Sequence, residues 1–338
     1  MDAMIDLLPL SLLLLLLCRA RPVKPLSAFD GEGLSLQAAM PLRGALALTV
    51  VLHHLAQRTE AGALMRPLTD MGYLPVAMFF FLSGCGVMKK HMASPDYRRR
   101  FLQRRLRALC WPLLPALAVY AALCAASRPF ASAWDFYNGV IGAANAWFLV
   151  NLIAFYAAFA LAMRMCGGRP GLMMAVMAVC CALYTAGCMA LGYGDWWYKS
   201  SPAFVLGMAW AAWGGRWTPF IRRHYWPLLA ACWALCLLIH RNIWPLGWFL
   251  PFGAFIPSAL AASLFALGVA LLSMKICFGN PALDYLGRVS YEIYVLHGIL
   301  LIALRGDWIW IESDFLYALL VVSGTAALAG ALRGRRGP

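Results

Sequence analysis

Leu42-Arg43-Gly44-Ala45-Leu46-Ala47-Leu48-Thr49-Val50-Val51-Leu52-His53-His54 is the stretch on which the fold turns. It is an apolar, helix-compatible run with an arginine near one end and two histidines at the other. Eleven residue steps of about 100° return within about 20° of the starting direction, so Arg43 and His54 share one helix face, roughly 16–17 Å apart along the axis. His53 points about 80° away from that line. An ionisable side chain inside an apolar span costs several kcal/mol unless it is paired or hydrated. Arg43 alone reads as a snorkelling anchor, but the two groups on one stripe point to a functional pair.

The remainder of the chain sets this helix among others like it. Of 338 residues, 63% are hydrophobic and 12% charged, against roughly 45–50% and 25% in a soluble domain. These proportions exclude a soluble enzyme, and equally a disordered, collagen-like or disulfide-stapled chain. Cutting at charges and turn residues gives ten apolar segments, approximately 42–57, 73–88, 108–126, 140–163, 171–192, 201–215, 226–240, 247–273, 289–304 and 315–332. The expected fold is all-α, a polytopic transmembrane bundle of about ten spans. Residues 1–33 read as a hydrophobic leader or anchor followed by a linker with Pro25, Gly31 and Gly33; 34–333 form the membrane domain and 334–338 a basic tail. Acid precedes the apolar run of Met1 to Cys18 and base follows it, the reverse of a signal peptide, so an extra anchor with its start outside is favoured over a dispensable leader.

The net charge of +14 acquires meaning only against the membrane. Basic clusters fall at Arg19 to Lys24, Lys89 to Arg107, Arg164 and Arg169, Arg216 to Arg223, Lys275 and Arg288, and Arg333 to Arg336. Two spans separate each neighbouring pair of clusters. The loops between hold Glu60, Asp70, Asp135, Asp195, Asp307, Glu312 and Asp314. Positive-inside placement then puts both ends of the ten-span body, and the C-terminus, in the cytoplasm of a cell bounded by this plasma (inner) membrane. Membrane lipid is the implied partner and nucleic acid is not. Trp134, Tyr137, Trp196, Trp197, Tyr198, Trp308 and Trp310 fit an interfacial belt. The eleven cysteines sit mostly in apolar runs without metal-ligand spacing, so they read as small buried hydrophobes and no metal is expected.

Two further places carry polar groups that lipid would not tolerate. Phe79-Phe80-Phe81-Leu82-Ser83-Gly84-Cys85-Gly86 has the small residues of close helix packing, and Arg104-Arg105-Leu106-Arg107 follows at the mouth of a Pro112-containing span. Leu286-Gly287-Arg288-Val289-Ser290-Tyr291-Glu292-Ile293-Tyr294-Val295-Leu296-His297 puts Ser290, Tyr294 and His297 on one face at i, i+4 and i+7. That stripe serves either interhelical hydrogen bonds or catalysis. Glu292 lies on another face, in reach of Arg288 across i, i+4. His91, His224, His240 and Arg241 receive no role.

In their order and spacing these stretches, with Ala146-Trp147-Phe148-Leu149, resemble the acyltransferase 3 family of integral-membrane acyltransferases over approximately residues 34–332. Cys85 departs from the family's usual aromatic or aliphatic residue, and the first forty residues have no family counterpart. The resemblance implies transfer of an acyl group, often acetyl, from cytoplasmic acyl-CoA to a hydroxyl on a sugar, polysaccharide or other envelope molecule, lipid-linked glycans included. It also implies that Arg43 and His54 are the functional pair. On mechanistic grounds His54 is the expected general base, oriented by Arg43 unless Arg43 instead holds the CoA arm. Arg104, Arg105, Arg107 and Ser83 are the expected acyl-CoA contacts, Trp147 an apolar wall, and Ser290, Tyr294 and His297 organisers of the helices or the acceptor. Direct transfer and an acyl-His intermediate are both open.

The main rival is a transporter or flippase using Arg and His as a proton relay. Transporters often show two related halves, whereas the polar signatures of these halves differ. A ligase of lipid-linked sugars would want larger outer loops, and a structural scaffold leaves the polar stripes unexplained.

Overall fold

The computed structural model describes the chain except residues 1–3, 26–27, 32–33, 61, 128, 167, 308 and 335–338, so Gly33, Trp308, Arg335 and Arg336 lie outside the described residues. Helices follow one another along the chain: α1 (Leu7–Leu17), α2 (Met40–Ala56), α3 (Tyr73–Ala93), α4 (Phe101–Ser127), α5 (Ala133–Ala143), α6 (Trp147–Met165) and α7 (Pro170–Ala190). Then come α8 (Pro202–Arg223), α9 (Tyr225–Arg241), α10 (Ile243–Phe249), α11 (Phe255–Ser273), α12 (Pro281–Arg288), α13 (Ser290–Ala303) and α14 (Asp314–Gly334). Pairing of Arg21–Pro22 with Ile276–Cys277 makes the two-stranded sheet.

Local chemistry explains where these helices begin. Pro41, Pro170, Pro202 and Pro281 stand in first turns, where the missing N–H removes nothing and φ is already helical. Ser132 caps α5 by accepting from the Asp135 amide at 3.1 Å, and Asn280 caps α12 by accepting from Ala282 at 2.9 Å.

Each apolar segment read from the sequence has a helical counterpart, but two are broken. Residues 140–163 divide into α5 and α6 at Asn145, whose φ of 49° is a left-handed conformation that asparagine tolerates. The segment 247–273 divides as α10 turns 79° from α9 and α11 starts afresh, while α12 meets α13 at 78°. Among the described residues five helices, α4, α6, α7, α11 and α14, are long and apolar enough to cross a membrane alone, and the bent pairs raise this to as many as seven. Apolar α2 has only 17 residues. Lys89 and Lys90 lie on α3, and Arg216, Arg222 and Arg223 on α8. These two helices pack against each other more extensively than any other pair, so protein rather than lipid covers much of their surface.

Glycines make the central contacts possible. A Cβ on Gly84 would strike the Phe204 carbonyl, and one on Gly207 the Phe81 carbonyl, so α3 and α8 approach backbone to backbone. Gly44 and Gly287 do the same for α2 and α12, against the carbonyls of Leu283 and Met40. Beside them α1 runs opposite to α2: Asp6 accepts from the amides of Leu64 and Met65, and the Leu15 carbonyl accepts from Asn280.

Overpacking at such a contact costs typically ~1–3 kcal/mol. Gly207→Ala is therefore expected to lower the thermal midpoint of the purified protein by several degrees. Gly86→Ala is the matched control, because a Cβ there meets nothing within 4 Å; an equal loss in both would refute the backbone-contact account.

Candidate active site

A cavity of about 1130 Å³ opens at the C-terminal end of α2, hereafter the His54 end. Its walls come from distant parts of the chain: Val50, His53 and His54 of α2 with Gln57 and Arg58 just past its end, the 66–73 connection, the α5–α6 break with Asn145 and Trp147, residues 195–199, the end of α9, and Tyr294 and Gly298 of α13. The breaks in the apolar segments thus sit where walls are needed. Asn145 offers its carbonyl to the Tyr294 hydroxyl at 2.8 Å, which fixes α13 against the α5–α6 junction.

Two backbone carbonyls set the protons of the histidine pair. The Leu68 carbonyl, 2.7 Å from His53 Nδ1, only accepts, so His53 carries its proton on Nδ1 and presents a lone pair at Nε2. Gln57 Nε2 donates to the Thr69 carbonyl at 3.2 Å and faces His53 Nε2 at 3.3 Å, which turns its Oε1 toward His54 Nδ1 at 3.2 Å. His54 is then the donor at Nδ1, leaving Nε2 as the ring's acceptor nitrogen in a residue that lines the cavity. Behind it the fully buried His297 stacks on His54 with ring centroids 5.2 Å apart, its Nδ1 anchored 2.7 Å from the Tyr294 carbonyl.

Arg43 belongs to a different station. It does not line the cavity, whose α2 wall begins at Val50. At the opposite, Arg43 end of the helix its neighbours are Tyr156 and Arg105, and its Nε is buried without a hydrogen-bond partner among the described residues. Arg105 lies over the Tyr156 ring at 5.2 Å and donates to the Tyr97 hydroxyl at 3.1 Å, with Ser83 close to the Tyr156 hydroxyl. Arg104 and Arg107 are exposed, Arg104 donating to the Arg99 carbonyl at 2.7 Å. The anticipated arginine triad therefore separates into one partly enclosed member and two on the surface. Arg43, Arg105 and Ser83 are placed to hold an anionic or carbonyl-bearing group, and the orphaned Nε supplies a donor for one of its oxygens.

The α13 stripe also divides: Tyr294 lines the cavity, His297 backs His54, and Ser290 is buried outside the cavity wall. Glu292 is fully buried with its carboxylate 3.6 Å from Arg333, a partner supplied by α14. Gln57 was legible in the sequence, since i+3 and i+4 spacing places it beside both histidines. His240 was not. It reaches the cavity from α9 and hydrogen-bonds the Tyr73 hydroxyl at 2.9 Å. Among the described residues no three His, Cys, Asp or Glu side chains converge to hold a metal ion.

Searches of curated proteins and of solved structures return no match for this chain. A family model described as an acyltransferase domain does match, over residues 42–333, a range that takes in both stations of α2 and all of α13. The chain belongs to the acyltransferase 3 family and is an acyltransferase with apolar membrane helices.

Proposed function

We propose that this protein is a ten-span O-acyltransferase of the plasma (inner) membrane, with α1 as an extra anchor and the C-terminus in the cytoplasm. It moves an acyl group, acetyl in the first instance, from cytoplasmic acyl-CoA to a hydroxyl of a sugar or cell-envelope glycan held in the His54 cavity. The observation that carries this reading is the Gln57 bridge, which commits the Nδ1 proton of His54 and leaves Nε2 able to take another.

Each residue then has a task. Arg43 and Arg105 bind the donor's anionic or carbonyl oxygens, Ser83 and Tyr156 shape that station, and Arg104 and Arg107 draw phosphate from the surface. Bound acyl-CoA supplies a thioester carbonyl already activated for attack. His54 accepts the acceptor hydroxyl's proton as that oxygen bonds to the acyl carbon, and returns the proton to the sulfur as the carbon–sulfur bond breaks. Trp147 and Tyr294 wall the acceptor in, and His297 holds the plane of the His54 ring by stacking. The reading requires the thioester to pass from the Arg43 station to the cavity. On the stripe joining Arg43 to His54, only buried Ala47 separates Arg43 from Val50 in the cavity wall.

Three outcomes are expected. His54→Ala, expressed at normal levels, loses about 10²–10⁴-fold in consumption of labelled acetyl-CoA; full retention of transfer would sink the assignment. A transporter would leave the label on CoA in either form. Gln57→Leu lowers kcat roughly tenfold and displaces the pH profile of kcat, because the His54 ring is free to change tautomer. Combined with His54→Ala it adds nothing further, whereas a purely structural loss would add. Finally, Ala47→Phe blocks transfer while CoA still binds, as read by equilibrium binding of labelled CoA; unimpaired transfer would place the donor's route elsewhere.

A further inference from the structure

The charges on the cavity wall deepen this reading, on which they rest for the acyl-transfer step alone. The cavity is lined by Arg58, Arg66, Lys199 and Arg241 against Asp70 and Asp195, four positive groups less two negative, a net of +2. Lys199 and Asp195 satisfy each other at 3.2 Å, which leaves three guanidinium groups facing one carboxylate. Arg66 and Arg241 make no ion pair among the described residues and are exposed to the cavity's mouth. This excess arises at an end of the bundle whose loops are rich in acid. Three of the acids at this end are engaged away from the cavity: Asp6 accepts from the amides of Leu64 and Met65, Asp135 accepts from the Ala131 amide, and Asp314 pairs with Arg305.

Segregation of this kind concentrates a positive field in a concave, partly desolvated space, where it selects anions and raises their local concentration. Guanidinium groups match carboxylate and phosphate oxygens in paired hydrogen bonds. The rings of Trp147, Trp196 and Trp244 on the same wall offer flat apolar faces to a sugar ring. We infer that the acceptor is an anionic sugar, a hydroxylated ring bearing a carboxylate or phosphate, gripped at the mouth by Arg66 and Arg241 with a free hydroxyl directed at His54.

The test uses the full chain in lipid nanodiscs with labelled acetyl-CoA and three acceptors: a glucuronic-acid disaccharide, its carboxyl-reduced neutral counterpart, and glucose 1-phosphate. Thermal stabilisation by each sugar without acetyl-CoA is measured in parallel. The expected result is a kcat/KM at least tenfold higher for an anionic acceptor than for the neutral one, falling in high salt. Arg66→Gln with Arg241→Gln should collapse that ratio, and the two lysine replacements should restore much of it if the variant is sound. The two anionic arms separate carboxylate from phosphate. Equal transfer to charged and neutral sugars overturns the inference and leaves acyl transfer standing. Stabilisation by an anionic sugar that the glutamine variant loses, without transfer to any acceptor, upholds the anion site and removes the acyl-transfer reading. Absence of both transfer and selective stabilisation overturns the inference.

Discussion

Hydrocarbon satisfies neither a guanidinium nor an imidazole, and α2 carries one near each end. A helix of 17 residues with that content has to be sheathed by protein. It is: α1, α3, α12, α13 and α14 all pack around it. The sheath needs close approach, which Gly44 and Gly287 permit by letting α2 and α12 meet at backbone distance. Once α12 is clamped there, the bend at Val289 sends α13 along α2 toward His54 and brings His297 onto its ring. The polar stripe thus organises the packing of its neighbours as much as it equips a site.

Helix positions were legible because apolar runs bounded by charge leave few alternatives. Gly84 was legible as a packing contact for the same reason that Gly86 was misleading: composition identifies a small residue, but only the partner helix determines whether its Cβ position is occupied. The breaks at Asn145 and after α10 were hidden inside continuous apolar sequence. The first is held by a tertiary contact, the Asn145 carbonyl meeting the Tyr294 hydroxyl, and the second by the left-handed residues Phe252 and Gly253. His240 and Lys199 reach the cavity from separate parts of the chain, and their convergence has no local signal. Arg43 and Arg105 illustrate the opposite case. Arg43 was expected either to orient His54 or to hold the donor's arm and Arg105 to bind the donor, and the two share Tyr156 as a neighbour.

Hydrogen-bond direction gives the histidine pair different chemical identities despite their adjacency. His53 is occupied on both nitrogens, by the Leu68 carbonyl and by Gln57, and so acts as a strut. Among the described residues, His54 is occupied by protein hydrogen bonds on Nδ1 alone. The distinction does not come from helix geometry, because both rings line the cavity. It comes from the Thr69 carbonyl, which fixes the Gln57 amide and through it the order of donors and acceptors. A loop contact beyond α2 therefore determines which of two neighbouring imidazoles is available as a base.

The separation of the two stations constrains the chemistry that joins them. A helix rise of roughly 16–17 Å lies between Arg43 and His54, so one compact ligand cannot span both with its reacting group alone. In the proposed reading, a donor with a charged head and a long thin arm meets this constraint, its head staying with Arg43 and Arg105 while the arm runs along the helix. Small side chains suit such a route, and the α2 stripe has Ala47 where a larger residue would close it. The acceptor faces the converse demand. In the same reading it approaches from the His54 end, whose wall is aromatic and positive, and needs only one hydroxyl to reach the imidazole. Donor and acceptor can then occupy the protein from opposite ends, so the bundle holds two substrates apart until the acyl carbon reaches His54.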